Sequence, residues 1–371
     1  MMVSDRVKAF ASTLAILVAT LSTIALITGL VGLTLSDDPV EREVSLRMMG
    51  IALASTALSA VILIPLRGYV IVELLDAFLA VSVFWLLAPL LSAAIYSYAV
   101  GMPVLDALFE SVSGFSGTGF TVVDRPEGLP RVVLAWRSLT QWIGELGIVV
   151  FSGVLLPTLH RSIRSVYVAE RGARLAPTIV STARRLFTIY SVYTLLGTLL
   201  FLLSGMTLFD SVTHSMTAIA TGGMSTRSEN LGYWFKAGNS LVAVSAAVVM
   251  TLGAFNFMDL YNLTLGRLRE FARSVEVRGF AAFFAVFAAL LGVTAVATNS
   301  TGSFWVWLFH MLSGFTTTGF SLSNVAEHPD LVKVIIVLAM IVGGATFSTS
   351  GGIKIKRAVI AIKAIGWEMA K

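Results

Sequence analysis

Two segments of this chain repeat each other across a long stretch of sequence. Residues 113–120 read SGFSGTGF and residues 313–320 read SGFTTTGF, with six of the eight positions identical. A looser third copy, AIATGGM at residues 218–224, aligns Gly223 with the glycine of the two TGF sequences. Glycine allows backbone conformations that turn consecutive carbonyl oxygens toward one axis, where they can replace the water shell of a dehydrated cation. The repeat therefore predicts three cation-coordinating loops.

The residues near these loops do not supply the chemistry of an enzyme. The chain has no cysteine, and its four histidines, at positions 160, 214, 310 and 328, are too far apart to form a local metal motif. No Ser, Asp or His of the loops has the spacing of a nucleophile and its base. We therefore expect no enzyme, no transition metal and no covalently bound cofactor.

The composition indicates a membrane protein. The 371 residues are 56% hydrophobic and only 13% charged, with a net charge of +5. The basic residues lie between apolar runs rather than on one polar face, which argues against a nucleic-acid partner. Apolar runs of about 20 residues, enough to cross a ~30 Å hydrocarbon layer, recur along the chain. They lie near residues 9–35, 48–66, 70–99, 132–159, 186–205, 237–262, 279–298 and 331–347.

These runs predict an all-α polytopic membrane protein. A strand or loop exposed to lipid would leave backbone groups unpaired, at a cost of several kcal/mol each, so helices are expected. Lys and Arg are concentrated in alternate connections, which marks those connections as cytoplasmic. We expect a multi-pass protein of the plasma membrane, in contact with lipid, with the N-terminus and the C-terminus both in the cytoplasm.

Three of the outer connections contain a semi-apolar segment of about a dozen residues, too short to span the membrane. They lie at residues 102–123, 207–225 and 303–322. A segment of this length must leave the membrane on the side where it entered, which predicts a short helix followed by a re-entrant loop. Glu110, His214 and His310 align with one another in these segments. For the two histidines we expect hydrogen-bonded, structural imidazoles.

With these features the chain resembles the Trk/Ktr/HKT superfamily of potassium transporters, and in particular its TrkH-like branch. The segments that carry the resemblance are QWIGELGIVV at 141–150, GAFNFMDLY at 253–261 and GGATFSTSGGIKIKR at 343–357. Members of the family are similar in having four helix, pore-loop, helix repeats around a pseudo-fourfold axis, often preceded by two further helices. The resemblance implies two N-terminal helices and three pore repeats in this chain, and K⁺ uptake as its function.

The resemblance also implies the site residues. The K⁺ filter carbonyls would belong to three triplets: Gly117, Thr118 and Gly119; Thr221, Gly222 and Gly223; Thr317, Thr318 and Gly319. An intramembrane gate loop would be formed by Gly343, Gly344, Ser348, Thr349, Ser350, Gly351 and Gly352. Next to the glycines, we expect Phe120, Met224 and Phe320 to pack the filter against neighbouring helices.

The predicted organisation is a succession of five segments. These are a two-helix segment at 1–68, pore repeat 1 at 69–160, a basic cytoplasmic linker at 161–185, pore repeat 2 at 186–263, and pore repeat 3 with gate loop and basic tail at 264–371. The fourth repeat of the family has no counterpart before Lys371. We therefore expect either a second chain that carries this pore quarter or a non-conducting, truncated or regulatory membrane subunit.

Other partners and rival functions follow from the same residues. The resemblance implies that the linker docks a cytosolic nucleotide-binding regulator, although retained positive charge alone also explains its basic residues. We further expect a homodimer. A rival hypothesis is an intramembrane enzyme, which would need a pocket that joins Ser or Asp to His214 or His310.

Acidic residues inside the predicted helices are candidates for function. Glu73 and Asp76 lie near Arg67, so that pairing with this arginine or snorkelling competes with a role in transport. Glu145 is deeper, and we expect it to pair with an arginine, to face a water-filled vestibule or to contact the ion. Asp259 is expected to anchor the cytoplasmic end of its helix.

Overall fold

The structure is a computed structural model that describes residues 3–69, 74–155 and 179–369. All regular elements of these residues are helices, which confirms the predicted all-α class. The chain divides into two compact units, residues 1–188 and 189–371. Most of the predicted basic linker and Glu73 lie outside the described residues.

The first unit begins with two long helices and ends with a pore repeat. Its helices are α1 (Val3–Leu35), α2 (Pro39–Leu63), α3 (Leu74–Val100), α4 (Val104–Phe115) and α5 (Arg131–Leu155). The apolar run expected near residues 48–66 lies largely within α2, which starts earlier, at Pro39, and ends at Leu63. Asp38 caps this helix by accepting a hydrogen bond from the N–H of Val40, and Pro39 has the preset backbone angle of a first helical residue.

The core of the first unit lies between all five of its helices, α1 to α5. Trp136, Tyr96 and Phe84 are among its largest fully buried side chains. The indole N–H of Trp136 donates to the Ser92 hydroxyl at 2.8 Å, so that the polar atom of this side chain is satisfied. Large apolar residues such as Leu86 remain exposed on the outside, as expected of helices that face lipid.

The second unit contains two pore repeats. The unit begins at residue 189, within helix α6 (Ile179–Leu203). The helices that follow are α7 (Leu208–Ile219), α8 (Gly232–Lys236), α9 (Ser240–Ala254), α10 (Phe257–Thr264), α11 (Leu268–Arg273), α12 (Val275–Ala297), α13 (Phe304–Phe315), α14 (Asp330–Val342) and α15 (Ile355–Met369). Phe280 stacks on Phe315 in its core, and Phe287 packs on the edge of the same ring.

Two predicted spans of the second unit are interrupted. The span expected at 237–262 bends by 113° between α9 and α10. Asn256 lies at this bend and caps α10, because its side chain accepts the N–H of Met258. The span expected at 331–347 ends at Val342, because Gly343 adopts a φ of 70° that an α-helix does not contain. Both breaks lie next to the predicted gate loop.

Five helices among the described residues are long and apolar enough to cross a membrane, or six when the bent pair counts as one span. They are Asp5–Leu35, Pro39–Leu63, Leu79–Val100, Arg184–Leu203 and Val275–Ala297, and the bent pair is Ser240–Ala254 with Phe257–Thr264. The number of eight crossings and the orientation of the termini remain predictions.

Candidate cation filter

Three short helices hold the Gly-Thr loops in the same register. Each of α4, α7 and α13 has twelve residues. Each begins 15 positions before the last glycine of its triplet and ends four positions before it, as in 119 − 104 = 15 and 119 − 115 = 4. The prediction of a short helix before each loop is confirmed. The C-terminal end of each helix, which carries partial negative charge, therefore adjoins a triplet.

The three triplets share an unusual backbone conformation. The φ angle is positive at the first and third residue of each triplet and not at the middle one. The angles are 66° and 77° for Gly117 and Gly119, 50° and 71° for Thr221 and Gly223, and 55° and 89° for Thr317 and Gly319. Such repeated left-handed residues are needed where consecutive carbonyls must point away from ordinary helix or strand directions.

The positive φ of Thr221 and Thr317 accounts for the glycine that the first copy of the repeat has at the same position. A β-branched residue with positive φ is strained, by about 1–3 kcal/mol, whereas glycine adopts the same conformation without a Cβ penalty. Gly117 therefore relieves in the first loop a strain that Thr221 and Thr317 carry in the other two. The hydroxyls of both threonines contact the gate loop.

The second and third triplets touch each other within the second unit. A Cβ placed on Gly223 would lie 2.1 Å from the carbonyl oxygen of Thr318 and 3.1 Å from the carbonyl carbon of Gly319. The side-chain amide of Asn230 donates to the Gly223 carbonyl oxygen at 3.1 Å. This bond uses one lone pair of that oxygen and leaves the other for a further partner.

The first triplet lies in the first unit, against α5. A Cβ on Gly117 would lie 1.9 Å from Oε1 of Glu145, so this carboxylate lies directly beside the triplet. Gly144 lets α5 approach the end of α4, because a Cβ there would lie 2.2 Å from the Phe115 carbonyl oxygen. The QWIGELG segment of α5 therefore has a glycine, Gly144, at the point where this helix contacts the backbone at the end of α4.

Hydroxyl groups hold the middle residue of two triplets. The hydroxyl of Thr118 lies 2.7 Å from that of Ser116, and the hydroxyl of Thr318 lies 2.8 Å from that of Thr316. In both loops the partner is the residue that follows the short helix. These bonds turn the threonine side chains back onto the loop rather than toward an ion.

The aromatic and aliphatic residues after the triplets differ in burial. Met224 and Phe320 are buried, as predicted, but the expectation for Phe120 was wrong, because its side chain is 69% exposed. Ser113 donates its hydroxyl hydrogen to the Phe120 carbonyl, so the backbone of this residue is held while its ring points away from the chain.

The predicted gate loop is a closed loop between α14 and α15. Gly343 and Gly352 face each other, and a Cβ on Gly343 would lie 2.2 Å from the Gly351 carbonyl oxygen. The N–H groups of residues 353–354 donate to the carbonyls of residues 341–342 at 2.9 and 3.0 Å. These bonds satisfy carbonyls that the end of α14 would otherwise leave unpaired.

The gate loop is hydrogen-bonded to both triplets of its unit. Thr349 lies 3.3 Å from Thr221 between hydroxyl oxygens and donates to the carbonyl of Ile219 at 2.9 Å. The N–H of Gly351 donates to the hydroxyl of Thr317 at 2.6 Å. The first residue of each triplet is therefore tied to the loop, and a displacement of the loop must break these bonds.

A buried carboxylate that the sequence analysis missed holds the other side of the gate loop. Glu276, in the first turn of α12, accepts the N–H of Thr346 at 2.7 Å and also the Thr346 hydroxyl. Its second oxygen accepts the amide of Asn256 at 2.6 Å, at the break between α9 and α10. One carboxylate therefore joins the gate loop to the helix break, and all its contacts are donors.

Replacing Glu276 with glutamine should loosen the gate loop. The new amide NH₂ group would face a donor, so at least one buried bond is lost and we expect about 1–3 kcal/mol of destabilisation. The thermal unfolding midpoint of the purified protein measures this, at about 2–4 °C for each kcal/mol. Glu270→Gln is the matched control, because Glu270 is exposed and lies 3.8 Å from Arg267, so its midpoint should stay at the wild-type value. Equal midpoints for both variants would contradict the assignment.

Three further carboxylates, two of which the sequence analysis named as candidates, have partners of their own. Asp76 forms a two-pronged ion pair with Arg6, at 3.1 Å for both bonds, rather than the pair with Arg67 that was one of the expected alternatives. Asp259 accepts the hydroxyl of Ser274 at 2.7 Å, at the start of α12. Glu41, which the sequence analysis did not single out, is buried and caps α5 by accepting the N–H groups of residues 131–132 at 2.9 and 2.7 Å.

These features define a polytopic membrane protein with re-entrant pore-type loops, and the comparisons with known proteins agree. Residues 54–371 match the TrkH family, described as a cation transport protein. The chain is 33% identical over 306 residues to the Trk system potassium uptake protein TrkG of Escherichia coli, covering 78% of this chain and 61% of that protein. It is 31% identical over 287 residues to an uncharacterized cation transporter of Methanocaldococcus jannaschii, covering 77% and 58%.

A solved structure shares the fold. The crystal structure of the potassium transporter TrkH from Vibrio parahaemolyticus matches 98% of this chain and 76% of that chain, with a TM-score of 0.82 and 27% sequence identity. The chain belongs to the TrkH family, whose members are transport proteins and not enzymes. It spans about three fifths of the length of the curated relatives that it matches.

Proposed function

We propose that this protein takes up K⁺ across the plasma membrane through a filter of backbone carbonyls. The observation that carries the proposal is the geometry shared by the three triplets, with left-handed backbone at the first and third residue behind a twelve-residue helix. Rings of backbone carbonyls replace the hydration shell of K⁺ in selective pores. The names of the relatives, a potassium uptake protein and a potassium transporter, support K⁺ as the ion.

The filter ligands are the carbonyls of residues 117–119, 221–223 and 317–319. The contact between Gly223 and the backbone of Thr318 supports a shared centre for the second and third triplets. The adjoining C-terminal ends of the short helices favour a cation over an anion.

The loop at 343–352 is the gate of this pathway. In the described conformation it is bonded to Thr221 and Thr317, at the inner ends of two triplets, and to Glu276. Ion passage past this point requires the loop to leave at least some of these bonds. The glycines at 343 and 352, both with positive φ, give the loop two points where the backbone can change direction.

The remaining features of the proposal concern the assembly. We place both termini in the cytoplasm on the distribution of Lys and Arg, and keep the five-segment organisation derived from the sequence. A homodimer and a cytosolic nucleotide-binding regulator are the partners that we propose.

Potassium-limited growth tests this function. Cells without their own K⁺ uptake systems should grow at low K⁺ when they express the chain together with its neighbouring reading frames, and should accumulate K⁺ in preference to Na⁺. Membrane insertion and a monodisperse purified protein control for folding. A well-folded protein that supports neither growth nor K⁺ flux in any such combination would favour the alternative, a non-conducting membrane subunit.

A further inference from the structure

One buried position recurs in the three short helices and has no role in the filter described above. Glu110, His214 and His310 each lie nine positions before the last glycine of their triplet, as in 119 − 110, 223 − 214 and 319 − 310. All three side chains are buried, with at most 3% of their surface exposed. A carboxylate in one repeat and imidazoles in the others share one property, the capacity to accept a hydrogen bond.

Each of these side chains accepts a bond from the chain just beyond its triplet. Glu110 accepts the hydroxyl of Thr121 at 2.9 Å and the N–H of Val122 at 3.2 Å. Both donors lie two or three residues after the glycine, where the chain leaves the loop. The short helix and the outgoing chain are therefore joined across the loop by one side chain.

The two histidines make the corresponding contacts as acceptors. Nδ1 of His214 lies 2.8 Å from the carbonyl of Asp210, which can only accept, so Nδ1 carries the proton and Nε2 accepts from the Ser225 hydroxyl at 2.8 Å. Nε2 of His310 accepts the N–H of Leu322 at 2.9 Å. Ser225 and Leu322 are two and three residues after their glycines, as in the first repeat.

The third contact depends on a second histidine. Because Nε2 of His310 accepts from Leu322, the proton of its neutral ring is on Nδ1, which lies 2.7 Å from Nε2 of His328. His328 must then accept at Nε2 and carry its own proton on Nδ1. With both rings neutral, only this arrangement of protons satisfies the N–H of Leu322, the ring of His310 and the ring of His328 together.

We propose that Glu110, His214 and His310 are positioning residues that hold the outgoing chain of each filter loop, and that His328 makes the third of these contacts acid-sensitive. A proton on Nε2 of His328 would face the Nδ1 proton of His310. Relief requires His310 to move its proton to Nε2, where it would face the N–H of Leu322. Acid therefore breaks either the contact between the rings or the contact to the loop.

The charged groups around His328 set the direction of its titration. Burial lowers the pKa of His328, Glu327 opposes this shift, and Lys333 adds to it. Lys333 is itself paired with Asp330 at 3.0 Å, and the ring of Trp307 packs against His328. Since the folded pKa lies below the ordinary value of about 6.5, the neutral pair stabilises the fold above that pH and this stability is lost as the pH falls through the lower, folded value.

The contacts of Glu110 and His214 are not expected to break in the pH range in which the contact of His310 does. His214 has a carbonyl oxygen at Nδ1 and the Ser225 hydroxyl at Nε2, and this hydroxyl can turn to accept from a protonated Nε2, so protonation of the ring does not set two donors against each other. Glu110 pairs with Arg137, and the groups that it holds beyond the loop are a hydroxyl and an N–H rather than an imidazole. The third loop is therefore the one that responds to mild acid.

The pH dependence of K⁺ flux tests the acid-sensitive contact. Purified wild-type protein, His328→Gln and His310→Leu are reconstituted in liposomes at equal pH on both sides, from about pH 7.5 to about pH 5, around the ordinary histidine pKa. Wild-type flux should fall reversibly by about two- to tenfold, as for the loss of one hydrogen bond. His328→Gln retains an acceptor for His310 and should conduct without this fall, whereas His310→Leu should have reduced flux at every pH.

A second measurement does not require transport, because only the flux readout rests on the proposed function. Spectra of protein labelled with ¹⁵N-histidine report which ring nitrogen carries the proton, and the two variants assign the signals. Both rings should carry it on Nδ1 at neutral pH, and acid should change both together. A wild-type flux that does not change with pH, an unchanged fall in His328→Gln, or rings protonated on Nε2 at neutral pH would each overturn the acid-sensitive contact. If the wild-type protein conducts at no pH, the proposed function fails and the spectra alone judge the histidine pair.

Discussion

Alanine at position 223 is expected to abolish selective K⁺ flux. Gly223 has a φ of 71°, and a Cβ there would lie 2.1 Å from the carbonyl oxygen of Thr318. The neighbour is backbone, so it cannot rotate away as a side chain would. Accommodation requires the third triplet to move by roughly 1 Å, in addition to about 1–2 kcal/mol of strain from the left-handed conformation. Because coordination depends on the placement of these oxygens, both flux and K⁺ over Na⁺ discrimination should be lost.

Alanine at position 319 separates the effect of backbone strain from the effect of displacing a neighbouring triplet. Gly319 has an equally left-handed φ of 89°, but a Cβ there meets no heavy atom within 4 Å. We expect strain without displacement, and so a protein that still conducts with reduced flux and partial selectivity. Gly302→Ala is the control, because this glycine has open space and no positive φ in the loop before α13.

Flux of K⁺ and Na⁺ through the three variants in liposomes ranks them. The expected order is Gly302→Ala equal to wild type, then Gly319→Ala, then Gly223→Ala with no selective flux above empty liposomes. Thermal midpoints and elution profiles verify that each variant is folded. Wild-type selectivity in Gly223→Ala would show that residues 221–223 do not coordinate the ion.

Much of the pore-loop architecture was predictable from local sequence. The short helices are apolar segments of fixed length, and the register of the glycines repeats at a constant distance from them. The positive φ at the first residue of each triplet also has a signal in the sequence, because one copy has a glycine, Gly117, where the other two have Thr221 and Thr317. The same comparison could not reveal the contact between the second and third triplets, because it joins residues nearly 100 positions apart.

The polar contacts that support the loops were mostly missed. Glu276 is joined to a residue 70 positions away, and no local pattern distinguishes it from an ordinary acidic residue in the first turn of a helix. The break before α10 had a signal in Asn256, a frequent helix cap, but the surrounding apolar run favoured a continuous span. Asp38 and Pro39 likewise indicate the start of α2, although the charged residues that follow them favoured a loop.

The ion pair between Arg137 and Glu110 shows how strongly a missed contact can matter. Both side chains are almost fully buried, and the guanidinium lies 2.7 Å from the carboxylate. Glu110 also holds Thr121 and Val122 beyond the first triplet. The sequence aligned Glu110 with the two histidines but gave no reason to connect it with an arginine of α5, 27 residues away.

Replacing Arg137 with methionine should destabilise the first unit by about 3–5 kcal/mol, because it leaves a buried carboxylate without its cation. Arg47→Met is the control, since Arg47 and Glu43 form an exposed pair on one helix and should contribute little. Thermal unfolding of the purified proteins measures both changes.

The double variant Glu110→Gln with Arg137→Met distinguishes the loss of charge balance from the loss of packing. Glutamine is neutral and keeps a carbonyl oxygen for the N–H of Val122, so much of the stability lost in Arg137→Met should return. If the double variant is no more stable than Arg137→Met, the cost comes from packing of the arginine side chain and not from the unpaired carboxylate. If Arg137→Met is as stable as the wild type, the pair is not buried in the folded protein, and Glu110 is free to act on the first loop without it.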